Sequence, residues 1–72
     1  MMYKIVFRYH FNQESETYSG GTYIFQGEKY ACFDCKNPKL YKSAKVAENS
    51  ARKLAESCVN TSSFFEIIKV SD

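Results

Sequence analysis

The side chains best suited to metal chemistry in this sequence are three cysteines and a single histidine. Cys32 and Cys35 form a C-x-x-C pair directly after a segment rich in β-forming residues, and His10 and Cys58 complete the set. Two thiolates at this spacing can hold one ion from a tight turn, and three cysteines with one histidine match a structural zinc site. The pattern predicts one structural zinc ion bound by Cys32 and Cys35, with His10 and Cys58 as the remaining ligands.

Two other uses of the cysteine pair stay open. In a reducing compartment such a pair holds a metal or remains as free thiols more often than it forms a disulfide or redox pair. Cys58 has its own alternative as a buried core thiol. If His10 or Cys58 is not a ligand, Asp34 or a water is the substitute.

Three strands are predicted ahead of the cysteine pair: Tyr3–Phe11, Thr22–Gln26 and Glu28–Phe33. The first alternates with period two and directs its aromatic residues to the core. Gly27 supplies a tight turn between the second and third. The polar stretch Asn12–Gly21 is predicted as a loop, and the alternative is a longer hairpin centred on Gln13-Glu14-Ser15.

One helix and one further strand are predicted after the cysteine pair. Asn37-Pro38 is typical of a short helical turn. The main helix is predicted from Ser43, which serves as its cap, to about Cys58, because apolar residues recur there at helical spacing. Phe64–Val70 is β-branched and aromatic and predicts the last strand. The fold class is α+β: a single zinc-stabilised domain over residues 1–72, ordered βββαβ, with one helix on one face of a mainly antiparallel sheet.

The predicted topology supports two of the zinc ligands only in part. The first and third strands of a meander run the same way, so His10 and the cysteine pair end at one edge of the sheet. Side-chain alternation opposes this, because His10 shares a face with Lys4 and Arg8. Cys58 ends a helix of ~24 Å, so it reaches that edge only if residues 36–42 first cross the domain.

The composition and motifs of the chain limit the classes of function that it can have. The chain has 72 residues and a net charge of +2, and no apolar run approaches the ~20 residues of a membrane span. Its start lacks the regions of a secretory signal, which predicts the reducing cytoplasm. The sequence shows no paired carboxylates, no Ser/His/Asp set and no glycine-rich phosphate loop. It predicts a protein that is not an enzyme.

Positive charge is concentrated around the predicted helix. Between residues 36 and 53 there are six basic residues against Glu48 alone, which indicates one basic face suited to an acidic partner. The candidate partner-binding residues are Lys36, Lys39, Tyr41, Lys42, Lys45, Arg52 and Lys53. Their alternatives are phosphate contacts or a solvated start of the helix.

The segment from Tyr41 to Ser57 resembles the last helix of double-stranded-RNA-binding domains. In that family a lysine-rich helix start touches phosphates and alanines pack on a three-stranded sheet. By this resemblance Lys42 and Lys45 would contact phosphate. The sequence has no counterpart of that family's first helix and adds the strand Phe64–Val70. A small nucleic-acid-binding module, similar to these domains or to zinc ribbons, is the alternative function.

The whole chain is similar in size and layout to small proteins of bacteriophages and mobile elements that end near Phe64-Phe-Glu-Ile-Ile-Lys-Val70. Within that group it resembles type II anti-CRISPR proteins, which bind and block an RNA-guided effector nuclease. The resemblance implies a non-enzymatic inhibitor in the cytoplasm of a bacterial host. Since many such inhibitors mimic DNA with an acidic surface and this chain is basic, it implies action through protein contact.

Overall fold

The computed structural model describes residues 2–8 and 15–71. Four strands and one helix follow in the order β1 (Met2–Arg8), β2 (Ser15–Phe25), β3 (Glu28–Phe33), α1 (Ala44–Ser57) and β4 (Phe65–Ser71). The strands form one sheet in the order β3-β2-β1-β4, and every neighbouring pair is antiparallel. The predicted α+β class and βββαβ order are confirmed.

The core lies between β1 and the helix. Ile5 and Phe7 are fully buried, in line with the predicted inward face of the first strand. Phe7 makes edge-to-face ring contacts with Phe33 and Phe65, at centroid distances of 6.0 and 6.1 Å. The strand was predicted to reach Phe11, and the part beyond Arg8 falls outside the described residues.

The second strand is longer than predicted. Ser15–Gly21 belongs to β2, so the loop prediction is wrong there, and the strand extends as the longer-hairpin alternative required. The centre of that hairpin, predicted at Gln13-Glu14-Ser15, lies mostly outside the described residues. Polar residues can form this segment because its first part pairs with β1 through Val6–Thr17 and Arg8–Ser15. Gly20 has a φ of 103° and lies in a bulge, where the pairing with β3 shifts register between Tyr18 and Thr22.

Beyond the bulge, β2 and β3 form a two-stranded hairpin. Phe25 pairs with Glu28 across the turn residues Gln26 and Gly27, whose φ values are 53° and 81°. Two consecutive positive φ angles define the type I′ turn that suits the twist of a hairpin. The predicted turn and the bounds of β3 are confirmed.

The segment after the cysteine pair crosses the domain. Asp34 N donates to Thr17 O (2.9 Å), and Lys39 N donates to Tyr18 O (2.9 Å). Tyr41 then pairs with Tyr3 through two backbone hydrogen bonds of 2.8 Å. The helical turn predicted at Asn37-Pro38 is wrong, because the backbone there is committed to a turn that begins at Asp34 and to the pairing with β2.

The helix matches its prediction closely. The Ser43 hydroxyl caps its start by accepting from Val46 N, and Cys58 is the C-terminal cap residue. The predicted apolar stripe consists of Ala44, Ala47, Ala51, Leu54, Ala55 and Cys58. Four of these residues are buried, whereas Ala55 is half-buried and Ala44 is exposed. Small alanines let the helix pack close to a sheet that supplies the bulky side chains. Among the described residues, no helix has the length and apolar character needed to cross a bilayer.

Candidate metal centre and partner-binding surfaces

Cys32 and Cys35 lie on either side of the end of β3. Cys32 is half-buried within the strand, and Cys35 is exposed in the turn that follows. The Asp34 carboxylate builds this turn by accepting from Lys36 N and Asn37 Nδ2, both at 3.0 Å. The Asn37 side chain and the Lys36 amide lower the pKa of Asp34, since both hydrogen bonds favour the charged form. Asp34, the predicted substitute ligand, is therefore already engaged.

Cys58 belongs to the core. It is 5% exposed and packs in one cluster with Tyr18, Ala31 and Leu54. Burial raises the pKa of Tyr18, and the nearby Tyr41, Cys58 and Cys32 raise it further. The thiols of Cys58 and Cys32 thus both lie in the neighbourhood of one phenol.

The ends of β1 and β3 lie at the same edge of the sheet, as the predicted topology requires. Arg8 at the end of β1 pairs with Ser15, and Asp34 beyond β3 bonds to Thr17, so both strand ends flank the start of β2. An open cleft of about 270 Å³ lies here, lined by Ser15, Glu16, Thr17, Phe33, Asp34 and Cys35. His10 lies outside the described residues.

The backbone between the cysteine pair and the helix crosses the domain, which is what Cys58 requires to end at this edge of the sheet. The helix starts after Tyr41, which pairs with Tyr3 at one end of β1, and Ser62 beyond the helix donates to Arg8 O at the other end (2.7 Å). Nevertheless, within residues 2–8 and 15–71 no three His, Cys, Asp or Glu side chains form a metal-binding group.

The predicted basic surface is mostly exposed. Lys36, Lys39, Lys42, Lys45, Arg52 and Lys53 are all accessible, and Arg52 forms an ion pair with Glu48 one helical turn away. Tyr41 is half-buried, and its hydroxyl shares a hydrogen bond of 2.9 Å with the Ser50 hydroxyl. The Lys39 ammonium lies 5.9 Å from the centre of the Tyr41 ring. Tyr41 therefore joins the helix to β1 as well as bordering the lysines.

A second exposed surface lies on the β2–β3 hairpin, where the sequence analysis placed no binding residue. Tyr23, Ile24 and Phe25 on the hairpin are 50%, 67% and 56% exposed. Tyr23 and Tyr30 stack across the strands with ring centres 5.3 Å apart and planes 13° from parallel. The signal was the apolar run Tyr23-Ile24-Phe25 next to a two-residue turn.

No protein-family model matches the chain, and neither a curated protein nor a solved structure is similar to it.

Proposed function

We propose that the protein is a non-enzymatic inhibitor that binds a larger protein in the cytoplasm of a bacterial host. The partner we propose is the effector nuclease of a type II CRISPR system, loaded with its guide RNA. The observation that carries the proposal is the row of exposed, positively charged lysines along the start of the helix and the segment before it.

This basic surface suits a partner of negative potential. Lys42, Lys45 and Lys53 are exposed, and the one acid of this stretch, Glu48, is already paired with Arg52. A surface of one sign accelerates encounter with an oppositely charged partner and disfavours wrong partners. A nuclease that carries RNA presents acidic protein patches and phosphate groups together, so Lys45 and Lys53 would steer the encounter, and Tyr41 and Arg52 would contact the partner.

The competing function is a small nucleic-acid-binding module that uses the same lysines on phosphates. Its support is the accessibility of Lys42 and Lys45 at the start of the helix. Such a module binds isolated duplex RNA or DNA, and its affinity falls steeply with salt. An inhibitor that acts through protein contact shows no specific binding to either duplex at physiological salt.

A structural zinc ion is part of the proposal. Cys32 at the end of β3 and Cys35 in the turn that follows offer two thiolates, the donor type and spacing that zinc prefers. We propose His10 and Cys58 as the remaining ligands, and their convergence on the pair would complete the site on metal binding. Four protein ligands leave no open position for substrate, so the role is structural.

The test is loss of target cleavage when the protein is added to guide-loaded nuclease. We expect inhibition by the native chain and weaker inhibition by the double variant Lys45→Glu/Lys53→Glu, because charge reversal slows association. The matched control for the single variant Lys45→Glu is Lys4→Glu, which makes the same charge change on the sheet face opposite to the side chains of Ile5 and Phe7 that pack against the helix. Cleavage unaffected by the native protein, across several type II nucleases, rejects the proposed partner.

A further inference from the structure

We propose that the tip of the β2–β3 hairpin inserts into a two-walled apolar cleft of the partner protein, with Tyr23, Ile24 and Phe25 as its anchors. This inference rests on the proposed function and assigns a second contact, separate from the basic helix. Its starting observation is three consecutive apolar residues that are each at least half exposed.

The hairpin tip is a free two-stranded ribbon. The pairing of β2 with β1 is confined to Ser15–Thr17, so Thr22–Phe25 is paired with β3 alone among the described residues. On its outer side, β3 is held by Val59 N, which donates to Lys29 O at 3.0 Å. The domain measures 40 × 24 × 22 Å, long for 72 residues. A ribbon that is anchored at its base and free at its tip is suited to insertion.

Both faces of this ribbon are apolar near the tip. Tyr23 pairs with Tyr30 and lies on the same face as Phe25, whereas Ile24 pairs with Lys29 on the other face. Ile24 is the most exposed large apolar residue in the described part of the chain, at 67%. A flat partner surface would cover only one of these faces. A site that covers both has two walls.

The aromatic face is already ordered for binding. Tyr23 stacks on Tyr30, and Phe25 packs edge-on against Tyr30 with ring centres 6.5 Å apart. Rings held by one another lose little conformational freedom when a partner covers them. Tyrosine is also among the residues most often found as energetic anchors at protein interfaces.

The side chains at the tip favour a protein cleft as the binding site over two alternatives, unpaired nucleobases and a lipid bilayer. Unpaired nucleobases would stack on the aromatic face and leave Ile24 in water. A lipid bilayer would have to receive Glu28, which lies directly opposite Phe25, and burying an unpaired carboxylate is costly. A protein cleft can place a basic group against Glu28 on one wall and an acidic group against Lys29 on the other.

The test measures the dissociation constant of the protein for the guide-loaded nuclease. We expect Ile24→Ser and Phe25→Ser each to raise it by tenfold or more, because each truncates an anchor on a different wall. The matched control, Val70→Ser, removes an exposed β-branched residue of β4 and should change it less than twofold. The melting temperatures of all three variants should stay close to the native value, since the altered side chains are exposed.

Each outcome bears on a different step. If the native chain binds the nuclease and both hairpin variants bind it with the same dissociation constant, the hairpin contact is overturned and the proposed function is retained. Loss of affinity in Phe25→Ser alone overturns the two-walled cleft. Absence of binding by the native chain rejects the proposed function together with this partner for the hairpin. Binding of single-stranded RNA or of anionic vesicles that Phe25→Ser abolishes overturns the protein cleft as the occupant.

Discussion

The side chain of Asn60 closes the free edge of β3 by pairing with the backbone of Ala31. Its Oδ1 accepts from Ala31 N and its Nδ2 donates to Ala31 O, both at 2.8 Å. An amide side chain here takes the place of a neighbouring strand, since it satisfies one donor and one acceptor together. An edge strand that is covered in this way offers fewer groups to another chain.

The first prediction is that Asn60→Ala lowers the free energy of unfolding by about 1–3 kcal/mol, because Ala31 is buried and both its backbone groups lose their partner. Chemical denaturation measures the change. Asn49→Ala, at an exposed helix position, is the control and should have little effect or stabilise slightly. If both variants change the free energy of unfolding by the same small amount, water replaces the Asn60 amide without loss of stability.

Two glycines of β2 and its turn allow a second prediction. Gly20 (φ 103°) would place a new Cβ 3.2 Å from Lys39 Cδ and 3.3 Å from Lys39 Cβ, whereas Gly27 (φ 81°) has no neighbour within 4 Å. Both Gly→Ala changes carry backbone strain of order 1–3 kcal/mol. Gly20→Ala should cost more, because the stem of Lys39 must also move.

Thermal denaturation of the two glycine variants side by side provides the measurement. The Gly27→Ala variant serves as the control for strain without crowding. A melting temperature of Gly20→Ala at or above that of Gly27→Ala would contradict the close packing of Lys39 on the bulge.

The sequence predicted best those elements whose signals are local. Ser43 and the alanine stripe define the helix, and Gly27 between two β-rich runs defines the hairpin turn and the start of β3. The first half of β2 was missed because its residues are polar and Gly20-Gly21 is typical of a loop. Its strand structure comes from pairing with β1, a contact between distant segments that local pattern does not contain.

The candidate site shows the same division. The C-x-x-C turn follows from the spacing of Cys32 and Cys35 and from the position of β3. The exposed hairpin tip does not follow from composition, since aromatic residues in a chain of 72 are usually needed for the core. Only the three-dimensional arrangement shows that, among the described residues, β1 pairs with the first part of β2 alone and that Tyr23 and Phe25 are at least half exposed.

The third prediction concerns stability at high pH. Burial, followed by the nearby Tyr41, Cys58 and Cys32, raises the pKa of Tyr18 above its ordinary value of 10.0. Below about pH 10 the phenol is protonated in both folded and unfolded chains, and its titration leaves stability unchanged. As the pH rises through 10 the unfolded chain ionises first, so stability falls until the folded-state pKa is passed.

Comparison with Tyr18→Phe isolates this effect from the other tyrosines and the lysines. The native free energy of unfolding should fall more steeply between pH 9 and pH 11 than that of the variant, as measured by denaturant titration at each pH. Parallel curves for the two proteins would show that the Tyr18 hydroxyl ionises as freely as in the unfolded chain.

The fourth prediction is one zinc ion per chain in the untagged protein, measured by elemental analysis. Because a metal site is coupled to folding, a chelator should lower the melting temperature. A site that contributes even ~2 kcal/mol would shift it by about 8–16 °C in a domain of this size. Cys35→Ser should abolish zinc binding, and its exposed position means that the substitution itself disturbs no packing.

The same measurement sorts the remaining ligands. Cys58→Ala removes a thiol that is 5% exposed in the core, so it destabilises whether or not Cys58 binds metal. The decisive reading is therefore the zinc content of the folded variant and not its stability. Loss of zinc in Cys58→Ala and in His10→Ala would establish both as ligands. Retention of one ion in Cys58→Ala would make Cys58 a core thiol beside Tyr18, and a zinc content near zero in the native protein would reject the metal site altogether.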